Sequence, residues 1–183
     1  MLAPAIPVAT AGTVGIAGTR SAEENVEYNL KAAFLFNFTK FVDWPPAGDA
    51  ASIDEKGPFQ LCILGEDPYG KSLDDVVANE TVGGRPIVVR RLPRGTDPRS
   101  CQILFLGRME REREAEVLAG LRGAPVLTVG ESDRFLADGG LINFFLDARR
   151  VRFEINLQNV DRTPLKISSK LLRLARLTPE EHR

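Results

Sequence analysis

The fold class follows from a pattern that begins at residues 59–78, FQLCILGEDPYGKSLDDVVA. The apolar run Phe59–Leu64 predicts a buried strand, and residues 71–78 predict a short helix. Between them, Asp67 is placed to cap the helix and Pro68 to occupy its first position. A buried strand that leads through a short turn into a helix is the repeating unit of α/β proteins.

The same turn matches the phosphate-loop pattern G-x-x-x-x-G-K-[ST] over residues 65–72, GEDPYGKS. In such a loop the backbone N–H groups cradle phosphate, Lys71 reaches the outer phosphates and the hydroxyl of Ser72 binds magnesium. However, two carboxylates inside this loop would face a polyanion, and Pro68 has no N–H group to donate. The pattern therefore favours a helix-capping turn, with a nucleotide hydrolase that uses Gly65 to Ser72 as the alternative.

Strand and helix patterns continue to alternate along the chain. Further strands are predicted at 86–92, 102–106 and 125–129, and helices at 110–121 and 131–137. Strands at 141–146 and 151–157 are joined by so short a link that they must pair as an antiparallel hairpin. A last helix is expected at 169–176, capped by Ser168. These elements predict an α/β fold with a single domain, a mixed and mostly parallel sheet, helices on both faces and an antiparallel C-terminal hairpin.

Residues 26–43, VEYNLKAAFLFNFTKFVD, have the apolar spacing of a helix that ends before Trp44. Phe34, Phe38 and Phe41 share its apolar face, which is wide enough to be covered on more than one side. We expect one side to meet the core and another to meet a second copy of the chain or a partner.

Residues 1–25, MLAPAIPVATAGTVGIAGTRSAEEN, differ in composition from the rest of the chain. They are rich in Ala, Gly, Val and Thr, and Arg20 is their first charged residue. Two interpretations stay open: a secretory signal peptide that lacks the usual basic start, which is favoured, or a disordered leader. The expected organisation is this leader, an α/β domain over 26–177 and a tail over 178–183.

The composition argues against several classes of function. Lys and Arg total 24 against 25 for Asp and Glu, so there is no basic excess for nucleic-acid binding. The single histidine, His182, is next to last, which removes Ser-His and Cys-His nucleophile pairs and most zinc sites. We therefore predict no catalytic residue, no metal site and no cofactor. The residues alone leave open whether Cys62 and Cys101 are buried free thiols or a disulfide pair.

Basic residues cluster towards the C terminus, and Arg152, Arg162 and Lys166 belong to this cluster. One interpretation is a solvated strand edge and helix face. The other is a surface for a small anionic ligand or an acidic partner. A small anionic-ligand-binding protein is therefore a second alternative for the function.

Several motifs follow one another in a characteristic order and spacing. They include the aromatic helix that ends in Trp44-Pro45, the strand after Gly139-Gly140, RFEIN at 152–156 and ISSKLLRLA at 167–175. Taken together, they resemble the YfiR family of periplasmic regulators. The similarity runs from about residue 27 to residue 176 and so covers nearly the whole chain after the leader.

The resemblance implies a dimeric α/β protein that is exported to the periplasm through a signal peptide and has no enzymatic activity. It implies binding to the sensor region of an inner-membrane diguanylate cyclase, which is thereby held inactive, lowering cyclic-di-GMP and biofilm formation. An OmpA-like outer-membrane lipoprotein is the implied second partner, because such a protein sequesters the repressor in better-understood relatives. The resemblance also implies a disulfide between Cys62 and Cys101.

Overall fold

A computed structural model describes residues 21–45 and 57–178 of the chain. The leader predicted over 1–25 lies mostly outside the described residues. The same holds for His182 and for all but the first residue of the predicted tail.

The described residues form a large sheet and a small one. The strands are β1 Val42–Asp43, β2 Phe59–Leu64, β3 Thr81–Val82, β4 Arg85–Leu92, β5 Ile103–Leu106, β6 Leu127–Gly130, β7 Ile142–Asp147, β8 Arg150–Ile155, β9 Lys166–Ile167 and β10 Arg176–Leu177. Eight of them form one sheet in the order β10-β8-β7-β6-β5-β2-β4-β3, while β1 and β9 pair with each other. Five of the seven pairings in the large sheet are parallel, which confirms the predicted mostly parallel sheet.

Helices cover both faces of the large sheet, as predicted. They are α1 Ala22–Phe38, α2 Lys71–Val77, α3 Arg111–Gly120, α4 Leu157–Val160 and α5 Ser169–Leu172. The sheet residues divide into two apolar cores because side chains alternate between its faces. Leu35 of α1 and Leu73 of α2 belong to one core, and Leu118 of α3 belongs to the other.

Helix α1 starts earlier and ends earlier than the pattern over 26–43 predicted. It begins after Ser21, whose hydroxyl accepts from the N–H of Glu24 while the Glu24 carboxylate accepts from the N–H of Ser21. This capping box satisfies two N–H groups that a helix start leaves unpaired. The predicted end was wrong: the helix stops at Phe38, and Val42–Asp43 form β1 because they pair with Lys166–Ile167.

Helix α1 packs on the sheet through aromatic rings. Phe38 is completely buried, and its ring centroid lies 6.0 Å from that of Phe144 and 5.3 Å from that of Phe153. Phe34 contacts the same two rings at 6.1 and 5.5 Å. Phe144 and Phe153 are paired across β7 and β8, so the helix is fixed over this hairpin.

The predicted hairpin is confirmed, with β7 and β8 antiparallel. Its two-residue loop, Ala148-Arg149, has φ values of 46° and 64°. Positive φ at both positions is the geometry of a type I′ turn, whose twist matches that of the flanking strands.

Two predicted helices in the C-terminal third were wrong: the first is not a helix, and the second is shorter than predicted. Residues 131–137 form a series of turns, because the ring of Phe135 fills the space between Gly130 and Gly140, where any Cβ would lie within 2.4 Å of it. The last helix is capped by Ser168 as predicted but ends at Leu172. The chain then extends as Arg176–Leu177, which pair with β8.

The structure contains the Cys62–Cys101 disulfide that the resemblance implied. Cys62 lies within β2, and Cys101 ends a 3₁₀ turn two residues before the start of β5. Both cysteines are fully buried in the core under α3. In the chain-entropy model, closing a loop of 39 residues stabilises the fold by about 4 kcal/mol.

Because Phe38 fills the contact between α1 and the hairpin, Phe38→Ala should lower the free energy of unfolding by about 3–5 kcal/mol. Val26→Ala is the matched control on the same helix, since Val26 is 68% exposed and should cost less than about 0.5 kcal/mol. Urea unfolding of both variants measures the difference. Equal effects would show that Phe38 does not anchor the helix.

Candidate functional site: a crevice at the carboxyl edge of the sheet

A crevice of about 920 Å³ opens where the parallel strands end. The turns after β2, β5 and β6 form its floor and contribute Glu66, Gly107 and Glu131. The N-terminal half of α1 forms one wall, and the end of the β7–β8 hairpin forms the other. Ligands bind open α/β sheets outside the carboxyl ends of their strands, so this crevice is the candidate functional site.

Two features of the backbone shape the crevice. First, β6 ends at Gly130, which pairs with Asn143, so β7 continues beyond β6 and stands above the edge of the sheet. Second, the turns after β2 and β5 touch, and the N–H of Gly107 donates to the carbonyl oxygen of Leu64 at 2.9 Å. A Cβ at residue 107 would lie 1.8 Å from the carbonyl oxygen of Glu66, so only glycine permits this approach.

A buried lysine lies at the centre of the α1 wall. Lys31 has 4% of its side chain exposed, and its Nζ forms ion pairs with Glu27 on the same helix and with Glu131 after β6. The ammonium group also lies 4.5 Å from the ring centroid of Tyr28. The hydroxyl of Tyr28 donates to Glu131 at 2.9 Å. These contacts tie α1 to the end of β6 and balance the charge of the buried lysine.

Tyr69, in the turn after β2, supports this cluster from below. Its ring packs edge-on against Tyr28 at 5.7 Å and against Phe105 at 4.9 Å. Its hydroxyl is buried and has no hydrogen-bond partner among the described residues. Burial, with the nearby Glu131 carboxylate as the next cause, raises the pKa of Tyr69 well above its ordinary value of 10.0.

The hairpin wall carries a second polar cluster. Asn143 is buried, and its Nδ2 donates to Glu154 on the neighbouring strand at 3.4 Å. Arg176 of β10 binds the same carboxylate at 2.6 Å, and its guanidinium lies 3.9 Å from the ring centroid of Phe145. The edge strand β10 is thereby held to β8 by side chains as well as by backbone pairing.

A buried carboxyl group lies on the α3 side of the crevice. Glu114 accepts a hydrogen bond from the hydroxyl of Ser132. Burial raises the pKa of Glu114 above its ordinary value of 4.5; the Ser132 bond opposes this shift, and the charge of Asp138 adds to it. The charged form of Glu114 therefore destabilises the fold relative to the neutral form.

Comparison with protein families matches residues 28–176 to the family described as YfiR/HmsC-like. The chain belongs to the YfiR/HmsC-like family. The match covers most of the chain and includes nearly all of the sheet, most of the crevice lining and both cysteines. Members of this family are regulators rather than enzymes, and membership supports a general role in cyclic-di-GMP signalling from the periplasm.

In this YfiR/HmsC-like chain, the sequence GEDPYGKS forms a turn held by its own side chains. Asp67 accepts from the N–H groups of Tyr69 and Gly70, and the hydroxyl of Ser72 donates to the carbonyl oxygen of Tyr69. Lys71 pairs with Asp75 one turn along α2. The groups that a phosphate loop would offer to phosphate and magnesium therefore bind within the protein, which favours an ordinary turn over a phosphate loop.

The predicted cap of the next helix was wrong. Helix α2 begins at Lys71 with Gly70 at its cap position and no side-chain cap, so Asp67 and Pro68 both lie in the turn before the helix. Arg91 of β4 binds the carboxylates of Asp67 and Asp74 and so fastens the turn to the sheet. Hydrogen bonding to Arg91 lowers the pKa of Asp74.

The predicted site residues fall on separate elements, all of them away from the crevice lining. Arg152 is exposed on β8, Arg162 lies in the loop after α4, and Lys166 lies on β9 opposite Asp43. Their assignment to a ligand or partner surface stays a prediction. Phe34, Phe38 and Phe41, predicted for a dimer or partner surface, pack against the core of their own chain.

Two features of the sequence signal the crevice. Lys31 interrupts the inner face of an apolar helix, and Glu27 lies one turn before it, which is the spacing of a helical ion pair. Glu131 directly follows a buried parallel strand. An acidic residue at the end of such a strand lies at the ligand-binding edge of the sheet. No sequence pattern distinguished Asn143 from a surface residue, because its burial depends on the packing of the hairpin.

Within residues 21–45 and 57–178, no helix has the length and apolar character needed to cross a membrane. No cluster of three His, Cys, Asp or Glu side chains in these ranges has an arrangement that could hold a metal ion.

Removing the buried cation should test the central contact of the crevice. Lys31→Met leaves Glu27 and Glu131 without their partner, and we expect unfolding free energy to fall by about 3 kcal/mol, the lower end for a broken buried pair. Lys71→Met is the matched control, because its pair with Asp75 has the same helical spacing but leaves the lysine side chain 84% exposed. That variant should lose much less stability than Lys31→Met in urea unfolding, because an exposed ion pair contributes little. Similar losses in the two variants would contradict the buried role of Lys31.

The raised pKa of Glu114 predicts a pH dependence. A carboxyl group with a raised native pKa contributes stability that is fully present below about 4.5 and is lost as pH rises through the native pKa. The stability of the wild type relative to Glu114→Gln should therefore fall between pH 4 and pH 7, because the variant stays neutral. Thermal unfolding across this range measures it, with the exposed Glu116→Gln on the same helix as the control for loss of one charge. A difference that stays flat or rises with pH would contradict the assignment.

Proposed function

We infer that this chain is a periplasmic regulator that binds the sensor region of an inner-membrane diguanylate cyclase and holds the cyclase inactive. The result is less cyclic-di-GMP and less biofilm formation. The observation that carries this proposal is the YfiR/HmsC-like match over residues 28–176, which covers nearly every element of the fold. An OmpA-like lipoprotein of the outer membrane is the proposed partner that sequesters the regulator and releases the cyclase.

The disulfide supports the proposed compartment. Disulfides persist in oxidising environments such as the bacterial periplasm and are rare in the reducing cytosol. Cys62 and Cys101 form such a bond in the core of the fold. The predicted leader is the proposed signal peptide that directs export, with its end placed before Ser21 because residues 21–25 belong to the capped start of α1.

The outer face of α1 supports a role in protein binding. Val26 and Leu30 are exposed one helical turn apart, at 68% and 45%. Exposed apolar surface of this kind is removed from water when a protein partner covers it. We assign this face to the cyclase sensor, while the phenylalanines of the inner face hold the helix on the sheet. A homodimer is also proposed.

Regulation of this kind requires differential affinity. A repressor that binds both states of the sensor equally shifts nothing, however tight the binding. The chain must therefore bind the inactive conformation of the sensor more tightly than the active one. Sequestration by the lipoprotein then releases the cyclase by mass action.

Co-expression tests the proposal. The tagged full-length chain should co-purify with a sensor-containing membrane cyclase and should lower cellular cyclic-di-GMP severalfold. The double variant Val26→Asp and Leu30→Asp should lose both effects because charge would be buried at the contact. Val88→Asp is the matched control, since Val88 is an exposed valine on β4 rather than on the outer face of α1. Unchanged cyclic-di-GMP and no recovered cyclase with the wild-type chain would refute the proposed function.

A further inference from the structure

The crevice contains a buried acceptor for which the protein supplies no donor. Asn143 is 6% exposed and lines the crevice from the hairpin side. Its Nδ2 donates to Glu154, and since a carboxylate can only accept, this bond fixes the orientation of the amide. Its Oδ1 is buried and lacks a hydrogen-bond partner within the described part of the chain. A ligand N–H group would satisfy this oxygen.

The lining of the crevice is strongly negative. Seven carboxylate side chains and three cationic side chains line it. Lys31 is paired with Glu27 and Glu131, and Arg176 is paired with Glu154, which leaves four other carboxylates and one cation, Arg108, in the lining. A concave surface with a net charge concentrates counter-ions, so this net negative crevice attracts cations and repels carboxylate and phosphate ligands.

Aromatic faces line the same space. The Tyr28 ring holds the Lys31 ammonium at 4.5 Å, and the Phe145 ring holds the Arg176 guanidinium at 3.9 Å. Aromatic faces attract organic cations and also cover their methylene groups. The lining thus combines acceptors, negative charge and apolar surface, which suits an amine with a hydrocarbon body.

We propose that the crevice binds a small organic cation with protonated amino groups, such as a diamine or a polyamine. One ammonium group donates to Oδ1 of Asn143, and the lining carboxylates balance its charge. The methylene chain lies against Tyr28, Phe144 and Phe145. The cavity of about 920 Å³ falls within the usual range of small-molecule sites. This ligand site goes beyond the proposed regulatory function and requires no cyclase, so the two can fail separately.

Titration calorimetry of the full chain with spermidine and with putrescine tests the site. Saturable binding at one site is expected, and Asn143→Leu should weaken it about tenfold, because a hydrogen bond to a charged donor is lost. Asp133→Asn, which removes a charge at the exposed rim, should weaken it by about threefold and should not affect folding. The matched controls are Asn29→Leu on the exposed face of α1 and Glu80→Gln near β3, and both should bind like the wild type.

Three outcomes would overturn the proposal. The first is an absence of saturable heat with either amine at physiological salt. The second is binding that neither Asn143→Leu nor Asp133→Asn weakens relative to its control, which would indicate non-specific charge attraction. The third is equal binding of the dicarboxylate succinate. Thermal unfolding of each variant separates lost binding from lost folding. If Asn143→Leu does not fold, the binding of Asp133→Asn alone tests the site.

Discussion

The contact between the rings of Phe38, Phe144 and Phe153 positions the rest of the molecule. It presses the C-terminal half of α1 onto the β7–β8 hairpin. The N-terminal half of the helix is then carried past the last residue of β6, where the carboxyl edge of the sheet begins. The hairpin also extends past this edge, so helix and hairpin enclose the crevice between them. Aromatic contacts suit this task because large rings bury much apolar area and prefer specific relative orientations.

The same placement explains how a lysine can be buried in α1. An unpaired ammonium group in a protein interior is very costly, and it is tolerated only with good partners. Lys31 obtains Glu27 from its own helix and Glu131 from the end of β6, with the Tyr28 ring beside its ammonium group. Glu131 reaches Lys31 only because α1 lies across the sheet edge. The ion pair therefore forms because of this packing, and it also stabilises the packing.

Helix α1 connects the two proposed activities. Its outer face presents Val26 and Leu30, which we assign to the sensor, and its crevice side presents Tyr28 and Lys31. A cation bound in the crevice and a sensor bound to the outer face would both act on one helix. If the cation favours one placement of α1, its binding energy and the binding energy of the sensor are linked, and the linkage is reciprocal. A regulator built in this way would respond to a small molecule without any change in the core.

The sequence by itself determined the α/β class, the hairpin, the presence of a turn at GEDPYGKS and the family, but it misplaced the cap of the helix that follows this turn. These depend on local apolar runs, turn residues and the order of motifs, all of which are present in the linear chain. Tertiary structure decided that 131–137 winds around Phe135, that Val42–Asp43 leave the helix to pair with β9, and that Arg176–Leu177 join the sheet. The tertiary structure also forms the crevice. Lys31, Glu131 and Asn143 come from three distant segments, and only the packing of α1 over the carboxyl edge gives them one environment.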